Sequence, residues 1–467
     1  MSVKTENVVG QAEEIVDDVS SEEVKTADAI SSNTMAALKA KLAKKNQTEE
    51  NVKAALEKVE GEKMPIVIVE KKIKSLNISC IGAGQAGSRL AAEWASLGNS
   101  AVAINTAQQD LTDIKLPEDC KLLTVGSIGG SAKDTSVGEE IASNNRDAIA
   151  ELISDKLGDA QVFLVCTSLG GGSGAGALPV IIDILAQLGC PIMVLTVLPL
   201  STDDVQTKSN ALETLAKLTK LAQSKIVSNI FIIDNSRIES IFAQVSQMSF
   251  FDVSNKLICE PLNAFNKYSA QPSANKALDS MEFAKIATDG NGVSVFGTLD
   301  VHDYESDTAI AEAVINSHSD NLLASGFDLS QTKYAGIIVV ANPEVWQKLS
   351  SNAINYAIAM LNEQCPKAIS VFRGLYEDST MKPDHVKIYS MFSGLGLPLD
   401  RINSLKTEVQ TEMAKVKTRD QSHNTNLQFD TGKDFSISEA EKVRDIIKKK
   451  SSSFNKNFTG IKDFRKK

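Results

Sequence analysis

Seven consecutive positions, 170–176, read Gly-Gly-Gly-Ser-Gly-Ala-Gly and are the part of this sequence best suited to chemistry. An apolar run at 161–166 precedes them, and a second apolar segment at 177–183 follows. This order predicts a buried strand, a glycine loop and a helix with Pro179 in its first turn. Glycines let a backbone approach a ligand closely, and helix N-termini attract anions. The segment is therefore predicted to bind phosphate; a flexible linker would not join a buried strand to an amphipathic helix.

A second glycine pattern lies earlier, at Gly82-Ala83-Gly84-Gln85-Ala86-Gly87. It follows a predicted strand at 73–81 and precedes a helix predicted from Ser88, which matches the G-x-G-x-x-G fingerprint of dinucleotide-binding folds. That fingerprint also requires an acidic residue at the end of the second strand, to bind the ribose. Here the second strand, at 101–105, ends in Asn105. A nicotinamide dinucleotide is therefore disfavoured as the ligand.

Strands and helices alternate through the rest of this region. A third loop, at 126–134, precedes a helix predicted from Val137, and strands predicted at 191–198 and 230–233 flank a helix at 206–222. This alternation predicts an α/β fold with a doubly wound parallel sheet. Ligands bind such sheets beyond the carboxyl ends of the strands, where the three glycine loops would meet.

Strands and helices also alternate in the second half of the chain, and the stretch from 287 to 405 shows no independent chemistry. A long helix is predicted at 251–268, and a last helix at 400–417 closes the fold. Between them the sequence predicts strands at 292–299, 335–341, 368–376 and 385–392, with helices at 308–325 and 343–364.

Composition indicates a large globular protein. The 467 residues are 42% hydrophobic and 23% charged, which suits two or three domains, and the net charge of −10 disfavours general nucleic-acid binding by the body. The six cysteines and four histidines are scattered, so we expect reduced thiols, no zinc site and a cytoplasmic location. Neither a signal peptide nor a membrane-spanning segment is indicated, so membrane insertion is not expected.

The two ends of the chain differ from its body. Residues 1–72 are polar and almost without aromatics, which predicts a disordered N-terminal extension. The end of the chain, 406–467, is predicted to be a helix followed by a flexible tail rich in Lys and Arg. Such a tail could bind DNA, a DNA-bound adaptor or the acidic body of a neighbouring subunit. A purely solubilising tail is an equal alternative.

The glycine loops at 170–176 and 82–87, Asn105-Thr106 and the spacing between them resemble the tubulin/FtsZ superfamily of polymerising GTPases. The resemblance covers roughly residues 74–400. It implies a GTP-binding domain at 73–250, a central helix and catalytic loop at 251–286, and a smaller α+β C-terminal domain at 287–405. It also implies GTP or GDP and Mg²⁺ as ligands. The basic tail is closer to the TubZ type, which moves plasmid and phage DNA, than to FtsZ, which ends in a short apolar peptide.

The resemblance also implies which part of the nucleotide each loop would bind. The first loop would bind the α- and β-phosphates, the loop at 170–176 the β/γ end, and the third loop the γ-phosphate. Asn105 and Asp110 would help to hold Mg²⁺ through water, and Asp183 would accept hydrogen bonds from the ribose. The implied phosphate, metal and ribose residues are Gly82, Gly84, Gln85, Ala86, Gly87, Asn105, Gly129, Gly130, Ser131, Gly170, Gly171, Gly172, Ser173, Gly174, Ala175, Gly176 and Asp183.

Recognition of guanine requires a side chain that both donates and accepts, as asparagine does. Asn235 and Asn255 match the family's base-binding positions. Phe251 lies four residues before Asn255, so both would share one helical face, with the ring stacked on the base. The alternative for Phe251 is a core aromatic.

Two acids, Asp279 and Glu282, have the spacing of the family's catalytic loop, which enters the nucleotide pocket of the next subunit. By resemblance, Glu282 would position the attacking water and Asp279 would assist. Ala277 departs from the family's usual Asn, and an alternative register would place Lys285 at a catalytic acid. Both acids would also be favourable simply as residues at a helix N-terminus.

The predicted function is therefore a GTPase that polymerises head to tail, with the chain as its own main partner, and that segregates or positions plasmid or phage DNA. The alternatives are an FtsZ-like cell-division GTPase and a nucleotide-binding scaffold that does not hydrolyse GTP. A nicotinamide-dependent enzyme is the least favoured reading.

Overall fold

A computed structural model describes residues 74–426, except 127–128, 243, 245, 274, 305, 307, 309 and 313–321. The predicted N-terminal extension at 1–72 and the basic tail lie outside the described residues. The chain divides into two compact units at Val409, within its last helix. The description below concerns the first unit.

The described part of the chain contains ten strands, twelve α-helices and two single-turn 3-10 helices at Glu118–Cys120 and Leu329–Gln331. The strands are β1 (Ile78–Ala83), β2 (Ala101–Asn105), β3 (Lys121–Leu123), β4 (Val162–Ser168), β5 (Ile192–Leu198), β6 (Asn229–Asp234), β7 (Gly292–Val301), β8 (Tyr334–Ala341), β9 (Ser370–Glu377) and β10 (Val386–Leu395). The helices are α1 (Gly84–Ser96), α2 (Gln108–Thr112), α3 (Thr135–Asn144), α4 (Arg146–Leu157), α5 (Gly172–Ala186), α6 (Val205–Gln223), α7 (Asn235–Ile241), α8 (Gln247–Tyr268), α9 (Ser280–Thr288), α10 (Pro343–Trp346), α11 (Ser351–Gln364) and α12 (Leu399–Asn426).

All ten strands form one mixed sheet in the order β3-β2-β1-β4-β5-β6-β7-β10-β8-β9. Neighbouring strands from β3 to β7 are parallel, β10 is antiparallel to both β7 and β8, and β8 and β9 are parallel. This confirms the predicted doubly wound α/β fold with an α+β continuation. Because β6 pairs with β7, the hydrogen bonds of the sheet continue across the predicted domain boundaries. Those boundaries stay a prediction.

Helices cover both faces of the sheet. On one face, α3 to α6, α11 and the start of α12 pack on apolar side chains such as Val165 and Ile232. On the other face, α1, α8 and α9 pack on side chains such as Cys166 and Phe231. The strands are buried on both sides, which explains their nearly continuous apolar sequences.

Two helices begin earlier than the sequence predicts. Helix α1 begins at Gly84 rather than Ser88. Helix α5 begins at Gly172, so the prediction that Pro179 lies in its first turn is wrong; Pro179 lies inside the helix. Residues 172–177 are glycine, serine and alanine, whose small size lets the first turns of the helix pack directly on neighbouring backbone. Because glycine is typical of loops, the sequence predicted that α5 begins later than it does.

Two predicted helices in the second half also need correction. The helix predicted at 343–364 is two helices, α10 and α11, and the Ser350 hydroxyl caps the second by accepting a hydrogen bond from the Asn352 N–H. The helix predicted at 308–325 is wrong at its end, because Leu322 forms a β-bridge with Gly297. Most of the remainder of that helix lies outside the described residues. Within the described ranges, no helix has both the length and the apolar character needed to span a bilayer.

Candidate functional site

Strands β1 and β4 are neighbours in the sheet, and the strand order reverses between them. Strands β2 and β3 lie on the far side of β1, whereas β5 and β6 lie on the far side of β4. In a doubly wound sheet this is the point at which the loops diverge and leave a crevice for a ligand. The loops after β1 and β4 enclose a cavity of about 150 Å³ here. It is lined by Ala83, Gly84, Gln85, Ala86, Ser168, Gly171 and Gly174, which combine the first predicted loop with the loop at 170–176.

Close backbone contacts explain most of the glycines at this site. A methyl group on Gly84, which has φ +71°, would lie 2.8 Å from the Gly174 nitrogen, and one on Gly174 would lie 2.6 Å from the Ala83 oxygen. A methyl group on Gly138 of α3 would lie 2.2 Å from the Gly172 oxygen. These glycines bring the N-termini of α1, α3 and α5 together. A methyl group on Gly171, in contrast, would meet no atom within 4 Å, so Gly171 faces open space.

Three hydroxyl groups connect the loop after β2, the third predicted phosphate loop and the loop at 170–176. The Ser173 Oγ lies 2.6 Å from the Thr106 Oγ1 and 3.0 Å from the Ser131 Oγ. The Gly130 N–H donates to the Thr106 carbonyl over 2.9 Å. The structure therefore brings the loops after β2 and β3 onto the first turn of α5. Gly129 is exposed beside them.

A carboxylate lies at the edge of this cluster. Asp110 accepts hydrogen bonds from the Gln85 Nε2 over 3.0 Å and from the Asn105 Nδ2 over 3.1 Å. The Asn105 Oδ1 accepts from the Thr106 N–H over 2.8 Å, so this amide oxygen already has a partner. Asp110 retains lone pairs for a further ligand. Oxygen donors of this kind suit a hydrated Mg²⁺ ion.

The predicted base-binding pair lies on α8. Asn255 is one helical turn after Phe251, and both line a cavity of about 700 Å³ together with Arg89 of α1. Phe251 is 46% exposed, which does not fit the alternative of a core aromatic. The Arg89 guanidinium lies 4.8 Å from the centroid of the Phe251 ring, a cation–π contact. The sequence analysis missed Arg89, although its place one turn after Gln85 on the same helix could have indicated it.

Two other predicted residues lie at different distances from the glycine loops. Asn235 is the first residue of α7, at the carboxyl end of β6 and so at the same edge of the sheet. Asp183 is the twelfth residue of α5, about 16 Å along the helix axis from Gly172. Its carboxylate forms an ion pair with Arg146 of α4. The structure does not bring Asp183 to the glycine loops.

The loop after β5 supplies a carboxylate that the sequence analysis did not single out. Asp204 caps α6 by accepting from the Thr207 N–H over 2.9 Å, and it forms an ion pair with Lys133 of the third loop. Burial raises the pKa of Asp204, but the hydrogen bonds from Lys133 and Thr207 outweigh it and lower the pKa to about 2. Asn210 donates to the Lys133 and Gly170 carbonyls over 2.7 and 3.1 Å. The start of α6 therefore holds two of the glycine loops.

A buried ion-pair network connects this loop to α12. The Lys208 ammonium is fully buried and lies 2.6 Å from the Ser201 carbonyl and 3.2 Å from the Glu408 carboxylate. Arg401 contacts the Asp234 and Glu408 carboxylates at 2.9 and 3.2 Å, and it also donates to the Pro199 carbonyl. Burial raises the pKa of Asp234, although the Arg401 charge opposes that shift. The start of α12 thus positions the loop that carries Asp204.

The two predicted catalytic acids form a capping box at the start of α9. The Asp279 carboxylate accepts from the Glu282 N–H over 2.8 Å, and the Glu282 carboxylate accepts from the Asp279 N–H over 3.0 Å. Asp279 is exposed, and Glu282 is half-buried. The next residue after Asp279, Ser280, donates to the Ser75 hydroxyl over 2.7 Å, just before β1 begins. The glycine loops follow the other end of β1, about 20 Å away for a strand of six residues.

The glycine contacts predict that two neighbouring substitutions act differently. Gly174→Ala should destabilise the chain by about 2 kcal/mol or more, because the methyl group would overlap backbone. Gly171→Ala should change stability by no more than about 1 kcal/mol, the cost of a poorer N-cap, yet weaken binding of the predicted ligand, GTP, at least about 10-fold, because its methyl group enters the cavity. Chemical denaturation and titration with a fluorescent GTP analogue measure both effects. Equal destabilisation by both substitutions would contradict this packing.

The ion-pair network predicts that Glu408→Ala destabilises the chain by about 3 kcal/mol, because it removes a partner from the buried Lys208 ammonium. Lys406→Ala, on the exposed face of the same helix, is the matched control and should change stability by less than about 0.5 kcal/mol. Urea unfolding followed by circular dichroism separates the two. A similar, small effect of both variants would mean that the network does not hold α12.

Comparison with known families agrees with this architecture. Residues 77–243 match the family model described as the Tubulin/FtsZ family, GTPase domain. Residues 266–406 match the C-terminal domain described as Tubulin/FtsZ-like protein, TubZ-like. Together the two matches cover about two thirds of the 467 residues.

The matches to individual relatives cover most of the length of those relatives. The chain is 26% identical to the tubulin-like protein CetZ of Pyrococcus abyssi over 323 residues, which are 68% of this chain and 84% of that protein. It is 24% identical to the tubulin-like protein TubZ of Bacillus cereus over 377 residues, 73% of this chain and 86% of that protein. A GTPγS-form protofilament of TubZ from Bacillus thuringiensis serovar israelensis has the same fold, with a TM-score of 0.66 and 17% identity over 77% of this chain and 97% of that one. With both domains matched in order on one fold, the chain belongs to the tubulin/FtsZ superfamily and carries a TubZ-like C-terminal domain.

Proposed function

We propose that this protein binds GTP with Mg²⁺ at the carboxyl ends of β1, β2 and β4, and hydrolyses it only where one subunit meets the next in a head-to-tail filament. The observation that carries the proposal is the separation of the glycine loops from Asp279 and Glu282 by the length of β1. One chain can bind the nucleotide with its loops, but it cannot bring its own acids to the γ-phosphate.

Three helix N-termini support phosphate as the ligand of the glycine loops. Helices α1, α3 and α5 begin around the same contacts, and none has an acidic residue in its first turn. The partial positive charges of their first N–H groups are therefore not neutralised within the helices, apart from the Asp134 cap of α3. A polyphosphate would supply the missing negative charge. The Ser173, Thr106 and Ser131 hydroxyls provide further donors at the same place.

The features around Phe251 support a planar, polar base. Its exposed ring face already holds the flat Arg89 guanidinium, so the same geometry suits a purine, with Arg89 displaced or stacked on its other side. The amide of Asn255 on the same face, and that of Asn235 at the end of β6, can both donate to and accept from guanine. Bound Mg²⁺ would neutralise charge on the phosphates, and Asp110 would hold it through water.

Hydrolysis of GTP depends on the position of a water molecule and on charge stabilisation. In the proposed filament, Glu282 of one subunit orients this water in the pocket of the next, with Asp279 beside it. The capping box keeps both carboxylates in place at the start of α9. Removal of a subunit from the filament removes the acids from the nucleotide, so hydrolysis depends on assembly.

Glu282→Gln tests the role of this carboxylate without disturbing α9, because glutamine also completes a capping box. We expect unchanged thermal stability, unchanged GTP binding and filaments that persist, with phosphate release reduced about 100-fold or more. Light scattering and a phosphate-release assay measure the two outcomes in the same sample. Phosphate release at the wild-type rate would show that Glu282 has only its capping role.

A mixture of two variants, at a GTP concentration too low for Gly171→Ala to bind it, tests whether the site is shared. Glu282→Gln retains the loops, and Gly171→Ala retains the acids. A complete site forms wherever the nucleotide pocket of a Glu282→Gln subunit contacts the acids of a Gly171→Ala subunit. The equimolar mixture should therefore release phosphate faster than the sum of the two variants alone. A rate equal to that sum would mean that each chain hydrolyses GTP by itself.

We further propose that the filament acts in the cytoplasm to segregate or position DNA. The support is the TubZ-like C-terminal domain and the composition of the end of the chain, since residues 442–467 contain ten Lys or Arg and two Asp. Cell division is the second candidate.

Deletion of 427–467 should leave GTP-dependent light scattering intact and abolish co-sedimentation of filaments with DNA at low salt. If full-length filaments do not co-sediment with DNA at low salt, the tail does not bind DNA directly, and a protein adaptor becomes the alternative partner. Pull-down with the tail would then identify that adaptor.

A further inference from the structure

Two histidines that are distant in the sequence face each other at one end of the β7–β10 pair. Val301 and Val386 are partners in the antiparallel ladder, so His302 and His385 follow at adjacent positions just beyond it. Their ring centroids are 5.5 Å apart. The sequence analysis expected no zinc site because the four histidines are scattered, and strand pairing changes that conclusion for these two.

Asp384 completes a group of three metal-ligating side chains. Its carboxylate lies 2.6 Å from the His385 Nδ1, and its backbone carbonyl lies 3.3 Å from the His302 Nδ1. One ligand atom from each residue can be chosen so that all three lie within 4.8 Å of one another. Ligands around a tetrahedral zinc ion are about 3.3 Å apart for bonds of 2.0–2.1 Å. Small side-chain rotations would therefore bring the three atoms to bonding distance of one ion.

We propose that His302, Asp384 and His385 form a binding site for a divalent transition-metal ion, with Zn²⁺ as the ion best suited to it. Imidazole nitrogens favour such ions, whereas Mg²⁺ and Ca²⁺ prefer sites built wholly of oxygen. The Asp384 side chain is 58% exposed and the His385 side chain 19%, so the ion can enter from solvent and keep water as its fourth ligand.

The location separates this site from the nucleotide. Its three residues belong to the β7–β10 part of the sheet, and none lies in a glycine loop or in the capping box of α9. A bound ion would join the residue after β7 to the residues before β10, across a gap of more than 80 positions in the sequence. Because binding would require the folded strand pair, the ion should stabilise the folded chain.

The test uses the full-length chain without an affinity tag, freed of metal and nucleotide. Titration with Co²⁺ should give the visible absorption of a tetrahedral complex at one ion per chain, and Zn²⁺ should displace it. Thermal unfolding should shift upward when Zn²⁺ is added. His302→Ala, His385→Ala and Asp384→Asn should each weaken binding about 10-fold or more and remove the thermal shift.

His423→Ala, a histidine elsewhere in the chain, is the matched control and should bind as the wild type does. Melting without metal shows whether each variant is still folded, which separates loss of a ligand from loss of structure. Absence of stoichiometric Co²⁺ and Zn²⁺ binding by the wild type would overturn the proposal. Wild-type affinity in the three cluster variants would also overturn it, because the ion would then bind elsewhere, for example at a thiol.

Discussion

The site depends on the direct backbone contact between the N-termini of α1, α3 and α5. Gly84 meets Gly174, and Gly138 meets Gly172, at distances that leave no room for a methyl group. Each contact aligns the positive end of one helix with that of another, an arrangement that is electrostatically unfavourable unless an anion lies among them. The same glycines therefore provide both the packing of the helices and the charge that attracts phosphate. Gly171, in contrast, faces the open cavity.

The parallel sheet determines which groups can meet. Loops that follow β1, β2 and β4 lie at one edge, and the start of α9 lies by Ser75 at the opposite end of β1. No rearrangement of side chains could span that distance within one chain. In the proposed mechanism the catalytic site is therefore complete only through assembly, which is the physical basis of the proposed coupling between polymerisation and hydrolysis.

The continuous sheet also connects parts of the chain that differ in chemistry. Pairing of β6 with β7 joins the part of the sheet that carries the glycine loops to β7 and β10, which His302 and His385 adjoin. On one face, Arg401 and Glu408 of α12 hold the loop after β5 and, through the start of α6, the carbonyls of Lys133 and Gly170. The C-terminal helix is thereby mechanically linked to the loops that would bind the phosphates, through buried charges rather than through the nucleotide.

The sequence by itself determined the order of the elements, the doubly wound sheet and the glycine loops, because these follow from local periodicity and from residues with special backbone freedom. It also pointed to Phe251 and Asn255, whose spacing on one helix is a local property. Only the tertiary structure decided that α5 begins before Pro179, that Asp183 pairs with Arg146, and that Arg89 lies on Phe251. It alone brought His302 to His385. Each of these depends on which elements become neighbours, and strand pairing and helix packing join residues whose separation in the sequence carries no signal.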